Sequence, residues 1–467
     1  MTLPCRYIAR VVIHFMTPFI IGGGREDLFA DQIFIEDMNG LPTLPGSSIA
    51  GAIRSRFRRM SEFASREDSI FGYQRGSSGE GSRLTVSWAC IHDKDDVPVE
   101  GLISSRKITG DPVLCNAIAG MVRDHVRIGH HGAAEGKFDE RCVSAGHRFT
   151  FELMLEGDRS DKKAWDAILG IISSGIMRLG GKTRRGLGKF EVHSLQERAF
   201  DLASATDFES FADHPVSLTE KSEVLGDEKK DFYRKEPVEI GDILMTLSLK
   251  PQDFWLIGGG PGDVIDITPV VASRIIWPAG GKGEERRDEV YLPGTAVKGP
   301  LAHRVAYYLN AFNKRYADEI RPDEHMNCVG SGSEAVAELF GLAKDEANLG
   351  RPGRVFIDDL FLGTLGDSRQ KILNHVSIDR FTGGARTMSG ALYTESPICD
   401  REEISLIIGI SEYKDLSEDA KKALCFALRD LAEEQLAIGS GTTRGNGYFK
   451  VKDIDSEMTK AGMEVFS

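Results

Sequence analysis

The residues best suited to chemistry come in two matched sets. GGKTRRGLGKFEV (Gly180–Val192) and GSGTTRGNGYFKV (Gly439–Val451) agree at seven of thirteen positions. Lys182, Thr183, Arg184 and Arg185 stand among glycines in the first, and Thr442, Thr443 and Arg444 in the second. Glycine lets backbone approach a ligand closely, and Arg and Thr donate hydrogen bonds to phosphate oxygens. That composition suits a sugar-phosphate backbone better than a base edge. It lacks GxxxxGK[ST], so it is no nucleotide P-loop. One such loop reads as a solvated basic turn; its recurrence argues for anion contact.

A second pair is LPGSSIAGAIRSRF (Leu44–Phe57) and LPGTAVKGPLAHRV (Leu292–Val305). Ser47, Ser48 or Thr295 is expected to cap a helix whose N–H groups then face an anion. Arg54, Lys298, His303 and Arg304 add positive charge. Carboxylates follow a triple glycine in each half: Asp31 in the first, Asp263 and Asp266 in the second. An exposed Asp beside a scissile phosphate can hold Mg2+ or orient an attacking hydroxyl; it can equally be a turn residue. His125 and His375 match between halves and are expected to be packed or hydrogen-bonded at strand starts. His130 and His131 have no counterpart.

The elements that must position these groups also recur. RVVIHFMTPFIIGGG (Arg10–Gly24) and ILMTLSLKPQDFWLIGGG (Ile243–Gly260) each read as a strand entering a glycine loop. Phe71-Gly72 and Phe340-Gly341 close the helix regions. HVRIGHHGAAEGKF (His125–Phe138) and HVSIDRFTGGARTMSGALY (His375–Tyr393) are Gly-rich excursions leading back into strands. Helical stretches at Trp165–Met177 and Glu418–Leu436 precede the basic loops. The Leu-Pro-Gly stretches, the Gly-rich excursions and the basic loops lie 248, 250 and 259 residues apart between halves, a drift that loop insertions explain. The expectation is an α+β protein of two tandem ferredoxin-like modules, 1–195 and 241–467, joined by a charged, partly disordered linker, 196–240.

Size and composition set the bounds. A chain of 467 residues, 41% hydrophobic and 28% charged, holds sizeable cores. The net charge of −13 opposes nonspecific polyanion binding, but Pro45–Met60 and Arg178–Phe190 carry basic residues and no acid. Seven scattered Cys without a CxxC pair fit free thiols in a reducing cytoplasm. Tyr7–Ile21 reads as a strand rather than a signal peptide, and no apolar run is long enough to span a membrane.

The GGG, LPGSSIAGAIR, FG, HVSIDRFTGGA and GGKTRRGLGKF stretches resemble the RAMP superfamily of CRISPR-associated proteins. IDRFTGGA followed by GALYTE looks like the backbone subunits of type III effectors, and two modules in one chain look like the tandem subunit of type III-D. The resemblance implies two RRM-like RAMP modules with inserted thumb hairpins in a prokaryotic, cytoplasmic protein. It implies partners: guide RNA (crRNA), complementary target RNA, and other effector subunits, the large signalling subunit and neighbouring backbone subunits among them. It implies RNA contact by Ser47, Ser48, Arg54, Lys182, Thr183, Arg184, Arg185, Thr295, Lys298, Arg304, Arg380, Thr442, Thr443 and Arg444. It further implies metal-dependent target cleavage, with Asp31 and Asp266 holding Mg2+ or Mn2+ and the target's own 2′-OH attacking. Asp263 is the fallback in the second half. The first half departs from the pattern, reading IGHHGAAEG where the second reads IDRFTGGA.

Three other readings stand beside this one: a structural RNA-binding backbone without catalysis, a guide-processing endoribonuclease (His193 lies near the basic loop), and a tandem binder of small anions.

Overall fold

The computed structural model describes residues 3–22, 34–128, 134–230, 242–316, 318–321, 328–342, 350–366, 369–386, 392–400 and 402–454. Two compact units emerge. The first comprises Met1–Thr183, Leu187–Ile240 and Ser273–Arg286; the second comprises Arg184–Gly186, Gly241–Ala272 and Arg287–Ser467.

In the first unit the long strand β1 (Cys5–Phe15) places Tyr7, Ala9, Val11, Ile13 and Phe15 on the core face and Arg6, Arg10 and His14 on the opposite face. Helix α1 (Gly46–Phe57) lays Ile49, Ile53 and Phe57 on that core at the spacing of one helix face. Burying each side chain contributes roughly 1.5–3 kcal/mol. The chain continues through β2 (Leu84–Val86), a hairpin of β3 (Met121–Ile128) and β4 (Ala134–Cys142), then β5 (Arg148–Gly157), α2 (Lys162–Ser173) and β6 (Phe190–Asp201). The sheet is antiparallel, in the order β6-β1-β5-β2.

The second unit repeats the sequence of elements: β7 (Ile243–Pro251), α3 (Gly294–Phe312), β8 (Val355–Ile357), a hairpin of β9 (Leu373–Val376) and β10 (Leu392–Glu395), β11 (Ile404–Ile410), α4 (Glu418–Ala432) and β12 (Phe449–Ile454). Its antiparallel sheet runs β12-β7-β11-β8, the same order, over a separate core. Even the irregularities match. The closing strand shifts register against the first strand at Val12/Ile13 in one unit and at Ser248/Leu249 in the other.

The Pro-Gly ahead of each long helix has a packing cause. A Cβ on Gly46 would lie 2.0 Å from the Val86 carbonyl oxygen, and one on Gly294 would lie 2.1 Å from that of Ile357. Each helix start therefore closes directly onto the end of β2 or β8. The caps are Pro45 and Pro293, without side-chain hydrogen bonds. Ser47, Ser48 and Thr295 are not caps, contrary to the expectation from sequence, because the proline sets the extended cap conformation and places them inside the first turn.

Residues 196–230 of the charged stretch are built into the first unit. It holds the end of β6, a helix at Ala205–Ala212, and an edge strand, Lys229–Lys230, paired with β6. Arg10, 7% exposed, anchors it by donating to the Pro215 and Glu220 carbonyls and to Glu152. Among the described residues no helix is long and apolar enough to cross a membrane.

Candidate nucleic-acid interface

The two basic loops share one backbone. Gly180, Lys182, Gly186 and Gly188 have φ of 96°, 54°, 101° and 79°; Gly439, Gly441, Gly445 and Gly447 have 96°, 72°, 95° and 82°. Each loop makes one 3-10 turn, Thr183–Arg185 or Thr442–Arg444. The same backbone bonds pin both. Gly181 and Gly188 donate to the Ile20 and Pro18 carbonyls at 2.7 and 2.8 Å; Ser440 and Gly447 donate to those of Leu256 and Phe254 at 2.7 and 2.8 Å. Lys182 occupies a left-handed position that costs a non-glycine residue on the order of 1 kcal/mol. Its side chain explains what offsets that cost.

Lys182 pairs with Glu140 of β4, a carboxylate only 1% exposed, and His125 of β3 lies 3.5 Å from the other oxygen of Glu140. His125 stacks on its cross-strand neighbour Phe138, centroids 4.7 Å apart. The second unit repeats the arrangement. Arg444 donates to Glu395 at 2.7 Å and to the Tyr393 hydroxyl at 2.7 Å; His375 sits 2.8 Å from Glu395, again 1% exposed; and His375 stacks on Tyr393 at 4.7 Å. Burial alone would raise the Glu140 pKa, but the Lys182 ion pair, with the His125 ring beside it, holds it down at about 2. Each hairpin is thus fastened at its base to the basic loop of its own unit. Both histidines lie within the first hairpin strand rather than at its start.

Asp266 is exposed and fixed against β10. Its Oδ2 accepts from the Thr394 N–H at 2.7 Å and from the Thr394 hydroxyl at 3.0 Å, while its own N–H donates to that hydroxyl at 3.0 Å. These bonds, the backbone one foremost, hold its carboxyl below the usual range. Asp263 is also exposed. Asp31, His130 and His131 lie outside the described residues. Among the described residues no cluster of three or more His, Cys, Asp or Glu is poised to hold a metal ion.

The other residues singled out from sequence fall in mixed settings. Thr443, Arg185 and Arg380 are exposed, and Thr183 and Thr442 half-buried. Ser47 is exposed and Ser48 half-buried, and Ser47 lines a hollow of about 330 Å³ beside α1 together with Arg54. Arg54 is already paired, with Glu67 at 2.6 Å and Asp68 at 3.5 Å. Arg184 donates to the Ser411 hydroxyl at 3.0 Å, and Lys298 donates to the Arg184 carbonyl at 2.9 Å. Burial, then the charges of Arg185 and Arg184, push Lys298 down to about 7. Arg304 pairs with Asp430 at 3.2 Å and donates to the Gln435 carbonyl. At α3, whose second residue is Thr295, the place in front of the first N–H is taken by Asp359, which accepts from Gly294 at 2.6 Å and from the Tyr291 hydroxyl. A carboxylate there serves the helix end as a phosphate would.

Glu140 and Glu395 were not singled out from the sequence. A signal for them exists: after each matched His comes an aromatic-x-Glu, Phe138-Asp139-Glu140 and Tyr393-Thr394-Glu395.

Comparison with known proteins agrees with the duplication. The profile of the RAMP superfamily matches twice, at residues 12–191 and 255–450. Among solved structures, the chain is similar to one in a cryo-EM structure of the Type III-B Cmr-beta bound to cognate target RNA, at 15% identity and a TM-score of 0.30. That similarity covers 41% of this chain and 60% of the other, less than two thirds of its length. None of the curated proteins matches. With the profile covering most of both units, and with one loop, one hairpin anchor and one strand order in each, the chain belongs to the RAMP superfamily.

Proposed function

We propose that this protein is a tandem, III-D-like backbone subunit of a type III CRISPR effector, gripping guide RNA with two modules and cutting target RNA beside them. The observation that carries the reading is the doubled RAMP match, each region ending in the same glycine-rich basic loop. The strand order β6-β1-β5-β2, repeated as β12-β7-β11-β8, supports the finer assignment of ferredoxin-like modules. The two hairpins are the natural thumbs. The second carries at its tip the fully exposed Phe381 beside Arg380, an aromatic face and a cation suited to a splayed nucleotide. Exposed Arg185 and Thr443 on the loops are the phosphate donors. The partners on this reading are guide RNA, complementary target RNA and neighbouring effector subunits.

For cleavage, Asp266 and Asp31 are the candidates. A hard divalent cation, Mg2+ or Mn2+, often uses one or two protein carboxylates plus phosphate oxygens and water, and exposed Asp266 fits that donor set. When bound, the ion supplies charge neutralisation at the scissile phosphate. The chain supplies position: Thr394 fixes the Asp266 rotamer, and the hairpin holds the displaced nucleotide so that its 2′-oxygen lies in line with phosphorus. The 2′-O–P bond forms as the bond to the 5′-oxygen breaks; the 2′-hydroxyl gives its proton to solvent and the departing 5′-oxygen takes one up from it, leaving a 2′,3′-cyclic phosphate and a 5′-hydroxyl. A backbone without catalysis is the second reading. It is favoured by the hydrogen bonding of Asp266, whose Oδ2 already serves as a strand anchor.

The test is cleavage of a labelled complementary RNA by the assembled complex. Asp266→Ala and Asp31→Ala should each remove cuts at one position of the repeat while guide and target binding persist. Intact cutting by the double variant assigns catalysis to another subunit and leaves the structural backbone.

A further inference from the structure

The first unit draws its cation for the buried carboxylate from loop position 182, whose counterpart in the second unit is Gly441. The second unit draws it from Arg444, whose counterpart is Arg185. Different side chains thus reach the same end: a carboxylate 1% exposed, on the returning hairpin strand, held between a histidine of the outgoing strand and a cation of the basic loop. A duplicated fold that keeps an arrangement while changing its donor is keeping the arrangement for its effect.

That effect follows from where Glu395 sits. A two-stranded hairpin has little stability by itself in water, so β9 and β10 need an anchor. Glu395 provides one at the base. Its backbone neighbours form a second seam: Ile267 donates to the Thr394 carbonyl at 3.1 Å, Ser396 donates to the Ile267 carbonyl at 3.0 Å, and Thr394 holds Asp266. Successive strand residues face opposite sides, so Tyr393 and Glu395 face the basic loop while Thr394, between them, faces Asp266. One three-residue run therefore ties hairpin, loop and candidate catalytic carboxylate together.

We infer that Glu140 and Glu395 are positioning residues, each locking its hairpin to the basic loop of the same unit and so fixing where the hairpin meets the RNA strand. Lys182 and Arg444 are the loop's half of the lock rather than free phosphate donors. The inference rests on the RNA-gripping reading above.

Two measurements test it, amide exchange in the full chain and single-turnover target cleavage by the assembled complex at saturating target. Glu395→Gln, which keeps the side-chain shape, and Arg444→Ala should each speed exchange across Leu373–Val376 and Leu392–Glu395 at least tenfold. Each should lower the cleavage rate at the position assigned to Asp266 at least tenfold. Glu395→Gln should leave guide affinity within threefold. Arg444→Lys, which keeps a cation at the same loop position, should recover most of both losses relative to Arg444→Ala. Unchanged exchange in Glu395→Gln, or Arg444→Lys no better than Arg444→Ala, overturns the inference. Should Arg444→Ala fail to fold, Glu395→Gln decides. A wild-type complex that leaves target uncut overturns the cleavage reading instead, and the exchange measurement then judges the lock alone.

Discussion

Asp266 and Thr394 hold each other through three hydrogen bonds, 128 residues apart in sequence, and the Thr394 hydroxyl takes part in two of them. Thr394→Val keeps the shape and removes that hydroxyl. The backbone bond from Thr394 N–H to Oδ2 survives, so the carboxylate stays near β10 but gains rotational freedom. Both partners are near solvent, so the stability cost should be small, about 0.5–1.5 kcal/mol by urea unfolding. On the cleavage proposal, cutting at this site should fall more than stability does, several-fold at saturating target. Equal cleavage in variant and wild type would show that the hydroxyl does not position Asp266.

Gly46 and Gly51 stand five residues apart on α1 and should respond to alanine with opposite signs. A Cβ at Gly46 meets the Val86 carbonyl, a backbone atom of β2 with no room to retreat; one at Gly51 meets nothing within 4 Å. Gly46→Ala should cost about 1–3 kcal/mol through overpacking. Gly51→Ala should gain roughly 0.5–1 kcal/mol from helix propensity. Denaturant midpoints of the two variants check both signs at once.

These cases mark how far the sequence carries. The duplication was plain in it, because recurring glycines at Gly180, Gly186 and Gly188 and at Gly439, Gly445 and Gly447 reflect backbone angles that other residues avoid. The Pro-Gly ahead of α1 and α3 was legible as a helix start but not as a close approach, since a contact with β2 or β8 leaves no local trace. The basic residues were legible as charge but not as partners. Arg54 is committed to Glu67 and Asp68, Arg304 to Asp430, and Lys182 to Glu140, each by a pairing that only the fold brings about. The hairpins at β3–β4 and β9–β10 were legible as excursions, whereas their anchors, Glu140 and Glu395, were hidden among ordinary surface-like strand residues.

Asp359 should matter to the second unit more than any residue of its own helix start. It is 2% exposed and accepts from the Gly294 N–H and the Tyr291 hydroxyl, itself buried. Asp359→Ala leaves the Tyr291 hydroxyl and the helix N–H without their carboxylate in a space water does not reach. The expected cost is about 2–4 kcal/mol, one buried donor plus one lost cap. Asp359→Asn should recover part of it. The readout is thermal unfolding, which should show loss confined to the second unit if the two units unfold separately.

Acid should loosen the first hairpin through Glu140. Its carboxyl has an ordinary value of 4.5 and sits at about 2 in the fold, where burial is overridden by His125 and Lys182. A depressed folded value means that the unfolded chain binds the proton more readily. The stabilisation is complete above pH 4.5 and is lost as pH falls from there towards about 2. Wild-type stability, followed by urea unfolding at successive pH values, should drop across that window. Glu140→Gln should be less stable at neutral pH, because Lys182 loses its counter-charge, and its curve should be shallower between pH 4.5 and 2. Parallel curves for the two proteins would mean that Glu140 titrates normally and that the ion pair with Lys182 contributes nothing to the fold.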